Sequence, residues 1–147
     1  MTSLLGNDPS CSVARSLEVL GDKWALLIVR QANFGMTRFS QFHETLGVAK
    51  NVLADRLATL VEFGVFDRRS YRDEGERERD EYVLTDAGRE LIYVLGALSR
   101  WGDRYRPTAA TPTRIYTEVG TGIPLQLRFV TPDGRQVEAD RVAAVAA

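Results

Sequence analysis

Apolar and polar positions between residues 39 and 64 predict two helices joined by a tight turn. Apolar residues recur at helical spacing in two runs, Phe39, Phe42 and Leu46 and then Leu53, Leu57, Leu60 and Val61. Between the runs lies Leu46-Gly47-Val48, a glycine-containing connection of the length found in helix-turn-helix motifs. We therefore expect a helix-turn-helix, with Gly64 ending its second helix.

The opposite face of that second helix is small and polar. At about 100° per residue it presents Asn51, Ala54, Asp55 and Ala58, with Lys50 at its edge. The N-terminal residues of such a helix meet base edges in DNA, where Asn pairs with adenine, Lys reaches guanine or a phosphate, and Asp accepts from cytosine. A solvated helix face is the alternative. Asp55 would repel phosphates unless it orients a neighbouring arginine.

Two further helices are predicted before the motif. Asp8 or Ser10, with Pro9, is suited to open the first, and Gly21 ends it. Its apolar face is formed by Val13, Leu17 and Leu20. Asp22 caps the second helix, which is apolar around most of its circumference and is therefore expected to be buried, with Trp24 in the core.

Residues at the start of the motif and after it predict phosphate contacts. Thr37 is expected to cap the first helix of the motif, and Arg38 is placed to hold a backbone phosphate. Two strand-like runs follow, 65–71 and 80–84, so the segment is predicted to form a wing. Its arginines, which can reach phosphates or the minor groove, are Arg68, Arg69, Arg72, Arg77 and Arg79. Four acidic residues oppose that attraction, and a solvated charged loop is the alternative.

A long helix is predicted from Thr85 and Asp86 to about Tyr105. Apolar residues follow a heptad seam through Ala87, Leu91, Val94, Leu98, Trp101 and Tyr105. A helix of about 30 Å exceeds what a small domain needs, so the seam, with Val13 and Leu17 of the first helix beside it, is expected to form a homodimer interface. The alternative is a helix folded back on its own domain.

The remainder of the chain changes character. Residues 106–113 are predicted to be a linker, and 114–142 a small β-rich appendage with strands at 114–119, 124–131 and 135–141. Two or three strands are marginal alone, so the appendage must pack on the winged domain or on a partner chain. It could also hold a ligand or partner that gates DNA binding.

The composition indicates the broad class of protein but does not identify a function. The 147 residues, 44% apolar and 27% charged, suit one main domain with an appendage. A net charge of −1 does not by itself indicate a protein that binds nucleic acid. The sequence shows neither a signal peptide nor a transmembrane run, which predicts a cytoplasmic protein without membrane contact. One histidine, His43, and one cysteine, Cys11, predict no catalytic triad, metal site or cofactor.

The amino-acid sequence of several segments resembles that of the HxlR-type branch of the MarR-like winged-helix regulators of bacteria. The matching stretches are CSVARSLEVLGDKWALLIVR at 11–30, RFSQFHETL at 38–46, VLADRLATLVEFGVFDRR at 52–69, and EYVLTDAGREL with ALSRWGDRY between 81 and 105. The resemblance implies a dimeric DNA-binding transcription factor occupying residues 8–105, whose recognition helix begins near Ala49. The family usually has Ser at the position of Ala49. It also more often has a polar residue followed by a basic one where this chain has Lys50-Asn51. For these reasons no operator sequence known for the family is assigned to this chain.

The expected function is therefore a homodimeric regulator, a repressor rather than an activator, that binds palindromic double-stranded DNA. The expected fold is mainly α with a small β wing, a winged helix-turn-helix with a short β-rich extension. Cys11 matches the position of a redox sensor in some members, and its place in the first turn of a helix favours a thiolate. Packing at the dimer interface is the alternative for Cys11. A protein-interaction module that does not read DNA competes with the regulator hypothesis, and a small-molecule or redox effector remains open.

Overall fold

Short-range hydrogen bonds start the helices of the N-terminal region. The computed structural model describes residues 10–112 and 114–145. Its first four helices are α1 (Ser12–Leu20), α2 (Lys23–Asn33), α3 (Phe39–Leu46) and α4 (Lys50–Glu62). The predicted cap of α2 is confirmed, because Asp22 Oδ1 accepts a hydrogen bond of 2.8 Å from the Trp24 N–H. Trp24 is half-buried and packs against the core.

The starts of α1 and α3 differ from those predicted from the sequence. Cys11, not Ser10, precedes α1, and its side chain makes no capping hydrogen bond; Asp8 and Pro9 fall outside the described residues. Arg38, not Thr37, is the N-cap of α3. The Gln41 side chain accepts from the backbone N–H groups of both residues at 3.0 Å, so a glutamine within the helix does the work expected of the threonine hydroxyl.

The hydrophobic core is built around α2, which packs against α1, α3, α4 and the hairpin. The largest fully buried side chains are Phe42, Phe66, Ile28, Leu53, Leu57, Leu60 and Val29. The rings of Phe42 and Phe66 meet edge to face with centroids 6.4 Å apart. The three buried leucines of α4 form the predicted stripe and fix which face of that helix points outward.

The wing is an antiparallel hairpin of β1 (Phe66–Tyr71) and β2 (Arg79–Leu84), paired in register from Phe66 opposite Leu84 to Tyr71 opposite Arg79. Its base is attached to the segment before α3. The Tyr82 N–H donates to the Thr37 carbonyl at 2.7 Å, and the Thr37 hydroxyl donates to the Glu81 carboxylate at 3.2 Å. The predicted wing is confirmed and is held against the helix-turn-helix.

The predicted long helix is broken near its start into α5 (Asp86–Glu90) and α6 (Ile92–Tyr105). At the break the Leu91 N–H bonds to the Gly88 carbonyl, only three residues earlier. Gly88 lies so close to the hairpin that a Cβ there would stand 2.2 Å from the Val65 carbonyl oxygen. The Thr85 hydroxyl accepts from the Gly88 N–H at 3.1 Å, so the predicted cap is confirmed although the continuous helix is not.

Contacts divide the chain into two units, one ending at Leu95 and the other beginning at Gly96, inside α6. The second unit contains β3 (Phe129–Val130), β4 (Gln136–Val137) and a 3-10 turn, Ala139–Arg141. The third predicted strand is therefore only two residues long before the chain turns. The first predicted strand, 114–119, is reduced to a single bridge between Thr117 and Pro124. The domain ranges inferred from sequence stay a prediction.

Candidate nucleic-acid interface

The N-terminal half of α4 presents a polar surface whose residues the sequence analysis had singled out. Its outward face is exposed and is formed by Lys50, Asn51, Ala54, Asp55 and Ala58. The helix starts at the N-cap Ala49, whose methyl side chain accepts no hydrogen bond from the first turn.

Asp55 does not stand alone on that face. Its carboxylate accepts a hydrogen bond from the neighbouring Arg56 guanidinium. Arg56 also pairs with Asp22, with Nε 3.1 Å from Oδ1 and a terminal nitrogen 3.3 Å from Oδ2. The hydrogen bond from Arg56 lowers the pKa of Asp22 below its usual value, and the same bond raises the pKa of Arg56.

This cluster attaches the recognition helix to the start of α2. Asp22 caps α2 through Trp24 and binds Arg56 of α4 with the same carboxylate. The sequence predicts that Asp55 orients a neighbouring arginine but does not identify Arg56 as that residue. The adjacency of Asp55 and Arg56 was a usable signal, whereas the contact with Asp22 spans 34 residues and needed the fold.

Three wing arginines are already neutralised by nearby carboxylates. Arg68 pairs with Asp80 across the hairpin, Arg69 lies 3.8 Å from Asp67, and Arg79 lies 3.2 Å from Glu76. The pairing with Asp80 raises the pKa of Arg68. Arg72 and Arg77 are exposed, and within the described residues neither makes a hydrogen bond or an ion pair. Among the described residues, the wing therefore has two arginines without an ion-pair partner and three that are paired with carboxylates.

Arg38 reaches from the start of α3 to the tip of the wing. Its two terminal nitrogens lie 3.0 and 3.2 Å from the two carboxylate oxygens of Asp73, a bidentate pair. The guanidinium also stacks over the Tyr71 ring, 4.2 Å from its centroid. The residue expected to hold a phosphate is thus positioned beside the wing with its charge facing an internal carboxylate.

His43 has a structural contact in the turn of the motif. Its Nδ1 lies 2.8 Å from the Val48 carbonyl oxygen, so the imidazole closes the connection between α3 and α4. Among residues 10–112 and 114–145, no group of three or more His, Cys, Asp or Glu side chains is placed to hold a metal ion. Over the same residues, no helix has the length and apolar character needed to cross a bilayer.

Most of the predicted dimer seam is open to solvent. The seam and α1 residues that remain exposed are Val13, Leu17, Val94, Leu98, Trp101 and Tyr105, with exposed fractions from 38% to 66%. Leu91 differs, because it is half-buried and packs against the core. Cys11, at the start of α1, is half-buried and unpaired.

The HxlR-like helix-turn-helix family matches residues 19–110. The chain is 46% identical over 101 residues to the uncharacterized HTH-type transcriptional regulator Rv3095 of Mycobacterium tuberculosis. That match covers 69% of this chain and 63% of the relative, so the chain spans less than two thirds of the mycobacterial protein's length.

Two solved structures extend the similarity to the fold. The crystal structure of PA1607, named as a proposed transcription factor, has a TM-score of 0.79 and 39% identity, covering 95% of this chain and 97% of that one. The redox regulator HypR in its reduced form has a TM-score of 0.58 and 27% identity, covering 65% of this chain and 94% of that one. The first resembles this chain over almost its whole length, and the second over about two thirds of it.

Proposed function

This chain belongs to the HxlR-like helix-turn-helix family, and on that premise we propose that it is a homodimeric transcriptional repressor that binds a palindromic DNA operator. The relatives bear the names of transcriptional regulators and not of enzymes. Binding to a chromosomal operator would place the protein in the cytoplasm.

The observation that carries the proposal is the exposed polar face of α4. Its leucines are buried, so Lys50, Asn51, Ala54 and Asp55 are the side chains that can enter a major groove. In this role Asn51 pairs with an adenine edge and Lys50 reaches a guanine or a phosphate. Ala54 allows close approach, and Asp55 holds Arg56 and accepts from a cytosine amino group.

Arg38 and the wing arginines supply phosphate contacts in this proposal. Arg72 and Arg77 need only meet the DNA backbone, whereas Arg38, Arg69 and Arg79 exchange a carboxylate for a phosphate. Their present ion pairs are exposed, and such pairs are worth about 0–1 kcal/mol each. The exchange therefore costs little, although the carboxylates weaken the net attraction.

The exposed apolar residues of α1 and α6 support the homodimer. A two-fold related pair of recognition helices reads two half-sites one helical turn apart, which is why the operator is proposed to be palindromic. Leu98→Glu should shift the protein from dimer to monomer in analytical ultracentrifugation, while Ala110→Glu, the same charge in an exposed connection, should not. A Leu98→Glu protein that remains dimeric would place the interface elsewhere.

Fluorescence anisotropy tests DNA binding directly. The purified protein is titrated against the DNA upstream of its own gene and against a scrambled duplex, over a salt series. We expect tighter binding to the upstream DNA, a steep fall with salt, and a loss of about 1–3 kcal/mol of preference in Asn51→Ala. Glu62→Ala, at the far end of α4, is the matched control and should bind as the wild type does.

The same experiment separates the competing protein-interaction module. Binding to DNA through several phosphates weakens steeply as salt rises, whereas a protein-interaction module would not bind either duplex even at low salt. If both duplexes bind with equal, salt-dependent affinity, the protein contacts DNA phosphates but does not recognise an operator through the face that carries Asn51.

Redox control through Cys11 is a second candidate, favoured by the similarity to the reduced form of the redox regulator HypR. The thiol is half-buried at the start of α1, a helix that carries exposed Val13 and Leu17. With one cysteine per chain, oxidation must link two chains or add a small thiol. Diamide treatment should change DNA affinity in the wild type and leave Cys11→Ser unaffected; an equal change in both proteins would exclude Cys11.

A further inference from the structure

The second unit has an ordered backbone but no core of its own. Among its described residues, 96–112 and 114–145, none is buried. Its backbone is nevertheless held by hydrogen bonds, such as the one from the Leu125 N–H to the Tyr116 carbonyl at 2.7 Å. Ordering a backbone costs conformational entropy, which the burial of apolar side chains has to offset. The absence of burial within the described part of this unit points to a second surface that covers it.

The hairpin closed by the bridge between Thr117 and Pro124 carries apolar residues on one side. Residues opposite each other in an antiparallel pair share a side, and so do alternate residues along a strand. Tyr116 is opposite Leu125, and their side chains therefore lie on the same side. The alternating apolar residues of that side are 57%, 54% and 38% exposed and form what we call the appendage stripe: Ile123, Leu125 and Leu127.

The appendage stripe is continuous with the seam on α6. The Tyr116 hydroxyl lies 2.9 Å from the Ser99 hydroxyl on α6, so the side of the hairpin that carries the stripe faces this helix. Leu127 also lines one groove together with Trp101 and Tyr105. These two rings belong to the seam that is proposed to form the homodimer. A partner that covers the rings therefore reaches the stripe as well.

A stable dimer needs more surface than the two helices supply. A specific interface takes about 20–30 residues from each partner. The helices α1 and α6 have nine and 14 residues, and only about half of the residues of a helix can face one partner. The appendage stripe adds apolar surface beside α6. Arg100 and Arg104 line the same groove, and arginine is a residue type that is enriched in interfaces.

We propose that the appendage stripe of each chain packs against the partner subunit and forms part of the dimer interface. The inference rests on the proposed homodimer and deepens it, because the stripe lies beyond residues 19–110, which match the family. The second copy of the chain supplies the apolar contacts that the second unit lacks within its own chain. The appendage is therefore covered in the dimer and uncovered in the monomer.

Analytical ultracentrifugation of full-length variants over a concentration series tests the proposal. Leu125→Glu should raise the dissociation constant of the dimer about tenfold or more, because a two-fold axis places the charge in the interface twice. Thr117→Glu is the matched control, since Thr117 is exposed and lies opposite Pro124 on the other side of the same hairpin. This control should dimerise as the wild type does. Circular dichroism of each variant establishes that the fold is intact.

Hydroxyl-radical footprinting of the wild-type protein gives a second readout that needs no variant. Oxidation of Ile123 and Leu125 should slow severalfold when the protein concentration rises above the dissociation constant of the dimer. Pro124 is exposed on the other side of the hairpin and should react equally fast at both concentrations.

Four results would overturn the proposal. If Leu125→Glu dimerises as well as Thr117→Glu while Leu98→Glu is monomeric, the seam alone forms the dimer, and the proposed homodimer stands without the appendage. If Ile123 and Leu125 react equally fast in monomer and dimer, the partner subunit does not cover them. If they are protected at every concentration, their own chain covers them. A wild-type protein that is monomeric at every concentration would contradict the proposed homodimer and this inference together.

Discussion

The two units use their apolar residues in opposite ways. In the unit ending at Leu95, Phe42 and Phe66 are fully buried, whereas Phe129 in the second unit is 63% exposed and Val119 is 97% exposed. The first unit has a six-residue hairpin ladder, and the second has strands of two residues. Burial therefore stabilises the first unit, while the second relies on turns and local hydrogen bonds. The chain's own packing thus leaves the apolar side chains of the second unit largely uncovered.

The largest effect should come from truncating the same ring in the two units. Phe66→Ala removes a buried ring that contacts Phe42 and Tyr82, and should lower the free energy of unfolding by about 3–5 kcal/mol. Phe129→Ala should change it by no more than about 0.5 kcal/mol. Urea denaturation followed by circular dichroism measures both. Comparable losses would break the contrast between the units.

Replacing a helical glycine by alanine should change protein stability in opposite directions in the two units. Gly88→Ala would press a Cβ against the Val65 carbonyl and the Leu84 side chain, and should destabilise the protein by about 1–3 kcal/mol. Gly96, the first residue of the second unit, has open space around its Cβ position, so Gly96→Ala should stabilise by up to about 1 kcal/mol. Thermal unfolding of the two variants gives the signs, and a stable Gly88→Ala would show that the hairpin can move away.

Acid should reveal the charge that links α2 to α4. Because the pKa of Asp22 lies below its usual 3.8, its carboxylate stabilises the folded state above that pH, and the contribution is lost as the pH falls through the lowered pKa. Asp22→Asn keeps a capping side chain but loses the charge, and should be less stable than the wild type at pH 7 by about 1 kcal/mol or less. The difference should shrink as the pH falls through the lowered pKa of Asp22.

The control for that prediction lies in the second unit. Hydrogen bonding from the Thr131 hydroxyl lowers the pKa of Asp133, but this carboxylate serves only its own turn. Urea midpoints measured from pH 7 to pH 2 should therefore distinguish Asp22→Asn from wild type and show a smaller change for Asp133→Asn. If the two variants have the same pH profile of urea midpoints, the ion pair between Asp22 and Arg56 contributes no more to stability than the local hydrogen bond of Asp133.

The smallest change in stability should come from the wing tip. Asp73→Asn frees Arg38 from an exposed ion pair and should alter unfolding by less than about 1 kcal/mol. DNA affinity should rise by the free energy of that pair, about 0–1 kcal/mol, because Arg38 no longer has to leave a carboxylate before it contacts a phosphate. Anisotropy over a salt series measures this, and Glu44→Gln, an exposed acid on α3, is the matched control. A DNA affinity no higher than that of Glu44→Gln would contradict a phosphate contact by Arg38.

The sequence predicted best where one face of an element is buried. The leucine stripe of α4 follows a pattern of period 3.6, and the burial of Leu53, Leu57 and Leu60 enforces it. The break at Leu91 could not be predicted, because the heptad pattern runs through it without interruption. It coincides with the close approach of Gly88 to Val65, a contact between residues 23 positions apart along the chain.

Charges were harder to assign than apolar positions. Sequence identified Arg38 and the wing arginines as cations but not their partners, since Asp73 meets Arg38 only after the hairpin folds back. The third strand of the appendage was overestimated because 135–141 alternates as a strand does while little of it is buried. Without burial, alternation does not fix the backbone.

The hydrogen bond from Tyr82 to Thr37 also defines where this protein can change length. It fixes the base of the wing to the helix-turn-helix, whereas residues 72–78 lie beyond the last strand pair and are all exposed. Insertions or deletions there would alter how far the wing extends while leaving the recognition helix in place. The reach of the wing is thus a quantity that evolution or an engineer can adjust independently of the fold.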